Sequence, residues 1–131
     1  MKFALDTNTI SYALRRQGSV QSVMRTHVAN DIGVPAICAF ESLQGALARN
    51  YGRKRMQELE FFLARFTIVP FDWRAAQHAA QIGTDLSRAG KSIGDLDTLI
   101  AGTARAHALT LVTHNISEFA RVPGLAVVDW Y

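Results

Sequence analysis

The sequence has few of the residues that cross-link small proteins. Cys38 is the one cysteine among 131 residues, so neither an internal disulfide nor a CxxC metal site can form. Cys38 lies in an apolar segment, which favours a core position over a nucleophilic role. Apolar runs long enough to cross a membrane are also missing, as is a basic-then-apolar leader, and we therefore expect a cytoplasmic protein.

The composition is otherwise that of a folded domain with a small basic excess. Hydrophobic residues make up 49% of the chain, and 131 residues are enough to bury a core, so we expect a single domain over residues 1–131. The formal net charge is +3, and basic residues are dense at Arg49, Arg53, Lys54 and Arg55. This cluster fits a polyanionic partner, but an ordinary solvated face accounts for a run of charges as well. Favourable interaction with a helix dipole explains it equally well.

Short apolar segments alternate with segments of helical periodicity along the whole chain. This alternation is typical of an α/β fold with a parallel sheet that is covered on both faces. Asp72 and Ser19 are of residue types that cap the helices that follow them. The predicted strands are 3–5, 32–34, 66–69, 110–113 and 126–128, and the predicted helices are 7–16, 20–28, 36–48, 53–65, 73–89, 93–107 and 116–120, with a break at 50–52.

An acidic residue, Asp6, ends the first predicted strand and is followed directly by Thr7, Asn8 and Thr9. In open α/β sheets, ligands bind in the crevice outside the carboxyl ends of the strands. Asp6 is therefore a candidate ligand-binding residue. Its alternative role is to cap the next helix, a position that Asp favours.

A second acid, Glu41, lies in the helix that follows the second strand. Helical spacing predicts a buried stripe of Phe40, Leu43 and Leu47, with Glu41 beside it. Small residues follow at the i+4 and i+7 positions, beginning with Gly45, and they leave open space next to the carboxylate. We weigh a functional role for Glu41 against an exposed helical glutamate, which is a common feature.

A third acid, Asp97, has the same small-residue surroundings, because Ala101 and Ala104 occupy its i+4 and i+7 positions. Asp95, two residues earlier, stands three residues after Ser92, which is the spacing of a capping box. We therefore predict a structural role for Asp95 and a functional role for Asp97.

Polar residues also follow the fourth predicted strand, at Thr113, His114 and Asn115. Thr113 and Asn115 are able to bind a carboxylate or a metal-bound water, and His114 is a possible general base. The alternative is a simple turn after a strand, for which Asn is a favoured residue.

Acids that converge from separate segments repel one another in a crevice of low dielectric unless a cation is present. Hard oxygen ligands without a Cys or His cluster select Mg²⁺ or Mn²⁺ over zinc. A cation of this kind, facing a phosphodiester, activates water and stabilises the leaving oxygen. The acids therefore predict metal-dependent phosphodiester chemistry.

Over essentially its whole length, the sequence resembles the PIN-domain ribonucleases, specifically the VapC-type toxins of bacterial toxin–antitoxin pairs. The motifs that carry the resemblance occur in the same order and spacing. They are Phe-Ala-Leu-Asp6-Thr-Asn, Phe40-Glu41-Ser-Leu-Gln-Gly45, Gly94-Asp-Leu-Asp97-Thr-Leu-Ile-Ala-Gly and the tail Leu-Val-Thr113-His-Asn115-Ile-Ser-Glu-Phe119-Ala-Arg-Val-Pro-Gly124-Leu, closing near Asp129-Trp130.

The resemblance implies a fold and a set of site residues. The fold is a three-layer domain with a five-stranded parallel sheet of order 3-2-1-4-5, flanked by helices on both faces. The metal-site acids of the family fall on Asp6, Glu41 and Asp97. A fourth position, often Asp in PIN domains, falls on Asn115, where many toxins of this kind also carry Asn. This substitution removes one negative charge from the site.

The resemblance also implies an activity and partners. Similar proteins are Mg²⁺-dependent endoribonucleases, several of which cut tRNA and leave 5′-phosphate and 3′-hydroxyl ends. They are silenced by a cognate antitoxin and are usually homodimers. Apolar residues in the first half of the chain agree with a homodimer, although all of them fit a core equally well; they are Val20, Val23, Met24, Phe61 and Phe62.

Two other functions remain open for the same residues. One is a phosphatase that forms an aspartyl-phosphate on Asp6, although Asn8 stands where haloacid-dehalogenase-type enzymes carry a second Asp. The other is a receiver-like or RNA-binding module with an acidic pocket and no turnover. Metal-dependent cleavage of RNA separates the ribonuclease from both.

Overall fold

Five parallel strands form one sheet of order β3-β2-β1-β4-β5 in the computed structural model, which describes residues 1–50 and 52–131. This order agrees with the predicted one. The central strand β1 pairs in parallel with β2 and β4, and β3 and β5 are the edges. The strands are β1 (Phe3–Leu5), β2 (Ile32–Pro35), β3 (Thr67–Val69), β4 (Thr110–Val112) and β5 (Val127–Val128).

Seven α-helices connect and cover the strands within the described residues, and a short 3₁₀ turn precedes β2. Their bounds agree with the predicted ones to within a few residues at most ends, and the predicted break at 50–52 contains Tyr51, which lies outside the described residues. The helices are α1 (Thr7–Arg15), α2 (Val20–Met24), α3 (Ala36–Ala48), α4 (Gly52–Ala64), α5 (Trp73–Arg88), α6 (Asp95–Ala106) and α7 (Ile116–Phe119).

Burial along the inner strands shows that both faces of the sheet are covered. Ala4 and Leu5 in β1 are both fully buried, as are Leu111 and Val112 in β4. Successive side chains of a strand point to opposite faces, so helices must pack on each face. This is the arrangement that the near-continuous apolar strands predict.

The predicted helix caps are correct at three positions and wrong at one. Asp6 and Asp72 cap α1 and α5, each accepting a hydrogen bond from the backbone N–H three residues on. Ser19 is the N-cap residue of α2 as predicted, but its hydroxyl makes no capping hydrogen bond and donates to the carbonyl of Trp130 (2.7 Å) instead, and α2 ends at Met24, earlier than predicted. The predicted Ser92–Asp95 capping box is wrong, because Gly94 is the N-cap of α6 and Asp95 is its first residue.

The buried stripe predicted for α3 is wrong. Phe40 and Leu47 are 48% and 70% exposed, and the fully buried side of the helix carries Cys38 and Ala46 instead. The sequence pattern favoured the large apolar residues for burial. Partly buried residues that pack against the same core are Ile37, Ala39 and Leu43.

The last residues of the chain pack back onto the first helices. The backbone N–H of Ser19 donates to the Tyr131 carbonyl (2.7 Å), and the Trp130 ring stacks on His27. Gly18, at φ 61°, lies so close to Tyr131 that an added Cβ would meet its carbonyl oxygen at 2.6 Å. A glycine is therefore required both by the left-handed backbone and by the contact.

Two of the helices, α5 and α6, meet at very short range. A Cβ added to Gly102 would lie 2.6 Å from the Cβ of Ala79. Arg105 extends the contact, since its Nε donates to His78 Nδ1 (2.9 Å) and one of its terminal nitrogens donates to the Pro123 carbonyl (2.8 Å).

Among the described residues, none of the helices is long and apolar enough to cross a membrane.

Candidate functional site

Asp6 stands at the carboxyl end of the central strand and has two roles at once. Its backbone N–H continues the β1–β4 ladder by donating to the Val112 carbonyl (3.1 Å). Its Oδ1 accepts from the N–H of Thr9 (2.8 Å) and so caps α1. The sequence analysis gave helix capping and ligand binding at the strand end as alternative roles for Asp6, and the position of the side chain is compatible with both. A carboxylate has two oxygens, so the cap leaves capacity for a ligand even though Asp6 is only 5% exposed.

Glu41 reaches the same region from α3 and is held by a residue that neighbours Asp6. The hydroxyl of Thr7 donates to Glu41 Oε1 at 2.7 Å. Cys38, one turn before Glu41, is fully buried beneath them. Burial raises the pKa of the Cys38 thiol strongly, against a hydrogen bond from Thr7, and the charges of Asp6 and Glu41 raise it further. Cys38 is therefore a core residue, as predicted, and is not a thiolate nucleophile.

Asp97 lies in the first turn of α6 and completes the group. Burial, a hydrogen bond with Glu118 and the negative charges of Glu118, Glu41 and Asp6 together raise its pKa from 3.8 to about 7. A shift from those charges requires that the carboxylates be near one another. Three acids that are far apart in the sequence therefore share one electrostatic environment, as predicted.

The fourth predicted position, Asn115, follows β4 and begins α7. Its backbone N–H donates to the hydroxyl of Thr113 (3.0 Å), and its side-chain amide donates to Glu118. Thr113 is fully buried, so its hydroxyl supports the turn rather than a ligand. His114, the candidate general base, pairs through Nδ1 with Asp129 (2.9 Å) and stacks on Tyr131, on the side of the tail.

Glu118 is a member of the group that the sequence analysis missed. Its carboxylate adds a negative charge to a site in which Asn115 stands where PIN domains often carry Asp. The available signal was its position three residues after Asn115, since residues at that spacing on a helix face the same side. It was overlooked because the segment looked like a short surface turn.

A small cavity of about 100 Å³ brings these residues to one surface. All three predicted metal-site acids and Asn115 contribute to it. Its described lining is Asp6, Thr7, Asn8, Glu41, Asp97, Ile100, Asn115 and Phe119. The cavity therefore lies where the carboxyl ends of β1 and β4 meet the start of α6, the crevice in which open α/β sheets bind ligands.

The chemistry of this cavity fits a hard divalent cation. Its described lining offers carboxylate and amide oxygens, which are the ligand types that Mg²⁺ and Mn²⁺ prefer. Within residues 1–50 and 52–131, no three His, Cys, Asp or Glu side chains form a ready-made metal cage. Mg²⁺ does not need one, since it keeps several waters and binds through one or two carboxylates together with a substrate phosphate.

A second, larger cavity of about 460 Å³ adjoins the first and shares Thr7, Asn8 and Glu41 with it. Helices α1, α3 and α4 form its walls, and its described lining includes the cations Arg15, Arg49 and Arg55. Of the predicted RNA-binding residues, Arg49 and Arg55 therefore lie beside the acids. Within the described part of the chain, the exposed Arg53 and Lys54 are not part of this lining.

Comparison with known proteins agrees with this geometry. The PIN domain family matches residues 3–125. A tRNA(fMet)-specific endonuclease VapC from Salmonella typhimurium is 31% identical over 130 residues, which cover 99% of this chain and 98% of the relative. Ribonuclease VapC2 from Haemophilus influenzae is 34% identical over the same shares of the two chains.

Solved structures give the same result at the level of the fold. The crystal structure of VapBC2 from Rickettsia felis, bound to a DNA fragment from the promoter, contains a chain that is 31% identical and superposes with a TM-score of 0.89 over the full length of both chains. A DNA-bound VapBC from Salmonella typhimurium gives 0.87 at 29% identity, with 100% of this chain and 99% of the other covered. The chain therefore belongs to the PIN-domain family, among the VapC ribonucleases.

Proposed function

We propose that this protein is a metal-dependent endoribonuclease that hydrolyses RNA phosphodiester bonds and acts as the toxin of a toxin–antitoxin pair. The observation that carries the proposal is the convergence of Asp6, Glu41 and Asp97 on one cavity at the carboxyl ends of the central strands. The names of the relatives, which are ribonucleases and a tRNA-specific endonuclease, support the same reaction.

Asp6, Glu41 and Asp97 would hold Mg²⁺, or Mn²⁺ in its place, directly or through water. When bound, the cation supplies an activated water for in-line attack and stabilises charge on the leaving oxygen. Thr7 orients Glu41 through the 2.7 Å hydrogen bond, which fixes one carboxylate before the cation arrives. Asn115 assists by holding Glu118 near Asp97.

The substrate proposed is RNA, with tRNA as the first class to test, because one relative is specific for tRNA(fMet). Cleavage in this manner leaves 5′-phosphate and 3′-hydroxyl ends. The backbone of the RNA would be held by the positive charges of the basic residues Arg49, Arg53, Lys54 and Arg55. This electrostatic contribution to the affinity does not depend on the sequence of the RNA.

The proposed setting is a single PIN domain over residues 1–131 in the cytoplasm, in complex with an antitoxin protein. The VapBC structures of the relatives support such a partner.

We also propose a homodimer. Of the apolar residues that the sequence analysis considered for its interface, Val20, Met24 and Phe62 are buried and Phe61 is 76% exposed. Trp73, which was not among them, is 75% exposed. A monomeric mass by light scattering at micromolar concentration would contradict the dimer.

Incubation of the purified protein with total tRNA, in the presence of Mg²⁺ and then of excess chelator, tests the activity. We expect discrete fragments with Mg²⁺, their loss with chelator, and recovery when Mn²⁺ is added. Asp97→Asn is the control for a contaminating nuclease. Fragments that persist in chelator would rule out the proposed mechanism. Sequencing of the new RNA 5′ ends would then show whether one tRNA or many RNAs are cut.

Neither of the other two functions has a specific observation in its favour. Phosphatases of the haloacid-dehalogenase type carry a second Asp two residues after the aspartate that becomes phosphorylated, and in this chain that position is Asn8. A module without turnover does not explain why acids from separate elements, Asp6, Glu41 and Asp97, line the same small cavity. The cleavage assay separates all three functions.

A further inference from the structure

The 460 Å³ cavity lies beside the acid group and shares the residues Thr7, Asn8 and Glu41 with the smaller cavity, but Asp6 and Asp97 are not in its described lining. We infer that this larger cavity is a nucleotide subsite, which holds the nucleotide adjacent to the bond that is cut, with its phosphate against Arg15, Arg49 and Arg55. The inference rests on the proposed ribonuclease activity and deepens it.

The first argument is the distribution of positive charge. Arg15 ends α1, Arg49 directly follows α3 as its C-cap, and Arg55 lies in α4, yet all three line one cavity. Each of the three has an interaction within the fold. A guanidinium has five N–H donors in a fork that matches phosphate oxygens, so an arginine is able to bind a phosphate while it keeps a partner in the fold.

The second argument is a contrast within the basic cluster. Arg53 and Lys54 stand in the same stretch of sequence as Arg55, at the start of α4. In the described part of the chain, only Arg55 of these three lines the cavity. A helix dipole favours cations at a C-terminus, which applies to Arg15 at the end of α1 and to Arg49 at the end of α3. It does not explain Arg55, which lies near the start of α4. Arg15, which is remote in sequence, joins Arg49 and Arg55 at the cavity, as a ligand site would require.

The third argument is space. A volume of about 460 Å³ falls in the range of roughly 300–1,000 Å³ that is usual for pockets that hold small ligands. Gly45 forms part of the wall, and among the described residues no atom outside its own helix and chain neighbours lies within 4 Å of the position a Cβ would occupy. Glycine in the middle of a helix lowers helix stability, so its presence here keeps the cavity open at the expense of the helix.

The fourth argument concerns the polar groups that a nucleotide needs. Asn8, Ser11, Ser42 and Glu58 supply donors and acceptors around the cavity. Such groups recognise the edges of unstacked bases and the 2′-hydroxyl, the features by which proteins read single-stranded RNA. An acidic peptide also matches the arginines. Only a nucleic-acid strand, however, would also place a phosphodiester in the adjoining acid-lined cavity.

A salt series of RNA binding tests the charge argument. The probe is a fluorescent single-stranded RNA of about ten nucleotides, and every variant carries Asp97→Asn so that the probe stays intact. We expect Arg15→Gln, Arg49→Gln and Arg55→Gln each to flatten the slope of log affinity against log salt by about 0.7 for each phosphate that the protein no longer neutralises. Arg25→Gln and Arg65→Gln are matched controls for charge, because both arginines are exposed and neither is in the described lining of the two cavities or among the proposed RNA-binding residues; they should leave the slope unchanged. Equal slopes for all five would overturn the subsite.

A pair of substitutions at Gly45 tests the space argument without a change of charge. Gly45→Ala should bind RNA like the parent and melt at a higher temperature, because alanine stabilises a helix. Gly45→Leu places a larger side chain against the cavity and should weaken RNA binding about tenfold, or about 1.4 kcal/mol. Both variants should remain folded, since the site of the added atoms is open. Equal affinity of the two would contradict the inference.

The outcomes separate the subsite from the reaction. If the chain with its natural acids cleaves RNA while the arginine and Gly45 variants bind like their controls, the subsite is wrong and the ribonuclease stands. If the variants lose RNA binding as expected but no cleavage occurs with Mg²⁺, the reaction is wrong and the subsite stands. Polyglutamate that binds in an arginine-dependent manner while RNA does not would assign the cavity to an acidic protein segment and overturn the inference.

Discussion

Two aspartates of this protein make the same local contact in very different surroundings. Asp6 and Asp72 both follow a β-strand closely, both precede a helix, and both accept a hydrogen bond from the N–H three residues on, at 2.8 and 2.9 Å. Asp6 follows the central strand and lies in a cavity with other acids, whereas Asp72 follows the edge strand β3 and lies beside His107. The local hydrogen bond therefore does not distinguish a functional acid from a structural one. The position in the sheet does.

The largest expected effect comes from exchanging each of these two acids for its amide. Asparagine caps a helix about as well as aspartate, so Asp6→Asn and Asp72→Asn should both fold. We expect Asp6→Asn to reduce RNA cleavage to background, because a carboxylate that holds the cation is removed, and Asp72→Asn to cleave normally. Cleavage assays on both, with circular dichroism as the check of folding, make the measurement. Loss of cleavage in Asp72→Asn would break the comparison.

A second pair, Asp95 and Asp97, sharpens the comparison within a single helix. Both lie in the first turn of α6, yet only Asp97 lines the acid cavity among the described residues. Asp97→Asn should abolish cleavage and raise the melting temperature of the metal-free protein, since repulsion between carboxylates is relieved. Asp95→Asn should keep most activity and destabilise by about 0.3–1 kcal/mol, the usual value for an acid at a helix N-terminus. The reverse pattern in the two assays would assign the functional role to Asp95.

A smaller effect is expected at Thr7, which contacts the site without belonging to the proposed ligands. Thr7→Val removes the hydroxyl that orients Glu41 while keeping the shape of the side chain. Groups that orient metal ligands contribute about 10–100-fold to affinity or activity, so the concentration of Mn²⁺ needed for half-maximal cleavage should rise within that range. Thr7→Ser keeps the hydroxyl and is the matched control. A normal Mn²⁺ requirement in Thr7→Val would remove Thr7 from the site.

The smallest expected effect is on the pH dependence of stability in the metal-free protein. The pKa of Asp97 is raised to about 7 from 3.8, so the folded chain binds a proton that the unfolded chain releases between these two values. Stability from this group is therefore highest below about pH 4 and falls as the pH rises towards 7. Melting curves with chelator present should show this decline, and Asp97→Asn should show a weaker one. An equal decline of melting temperature with pH in the two proteins would contradict the raised pKa of Asp97.

The sequence was sufficient for the features that depend on local pattern. Apolar segments of three or four residues indicated the strands, and the acid that follows β1 was identified because a strand tip and a helix start coincide there. Asp97 was distinguished from Asp95 by the small residues one and two turns on. The order of the sheet came from the family resemblance, because parallel pairing joins segments such as Phe3 and Thr110 that no local pattern connects.

The errors arose where a residue's partner lies far away in the sequence. Ser19 is the N-cap residue of α2 as predicted, but its hydroxyl does not cap the helix, because the returning tail offers it the carbonyls of Trp130 and Tyr131. Phe40 and Leu47 looked like core residues, but the packing of α3 in the fold buries Cys38 and Ala46 and leaves these two exposed. Glu118 was missed because its segment looked like a short surface turn and because its partner Asp97 lies about twenty residues earlier in the sequence.

The strand order also determines the stage of synthesis at which the chain can first cleave RNA. The central strand β1 is made first, but its neighbour β4 leaves the ribosome only after more than a hundred further residues. Parallel pairings of this kind are slow to form and cannot begin before both strands exist. A nascent chain that holds Asp6 and Glu41 therefore still lacks Asp97 and the turn at Asn115. Ribonuclease activity can therefore appear only after the segment that holds Asp97 and Asn115 has left the ribosome and packed against β1, which leaves an interval during synthesis in which the chain does not cut RNA.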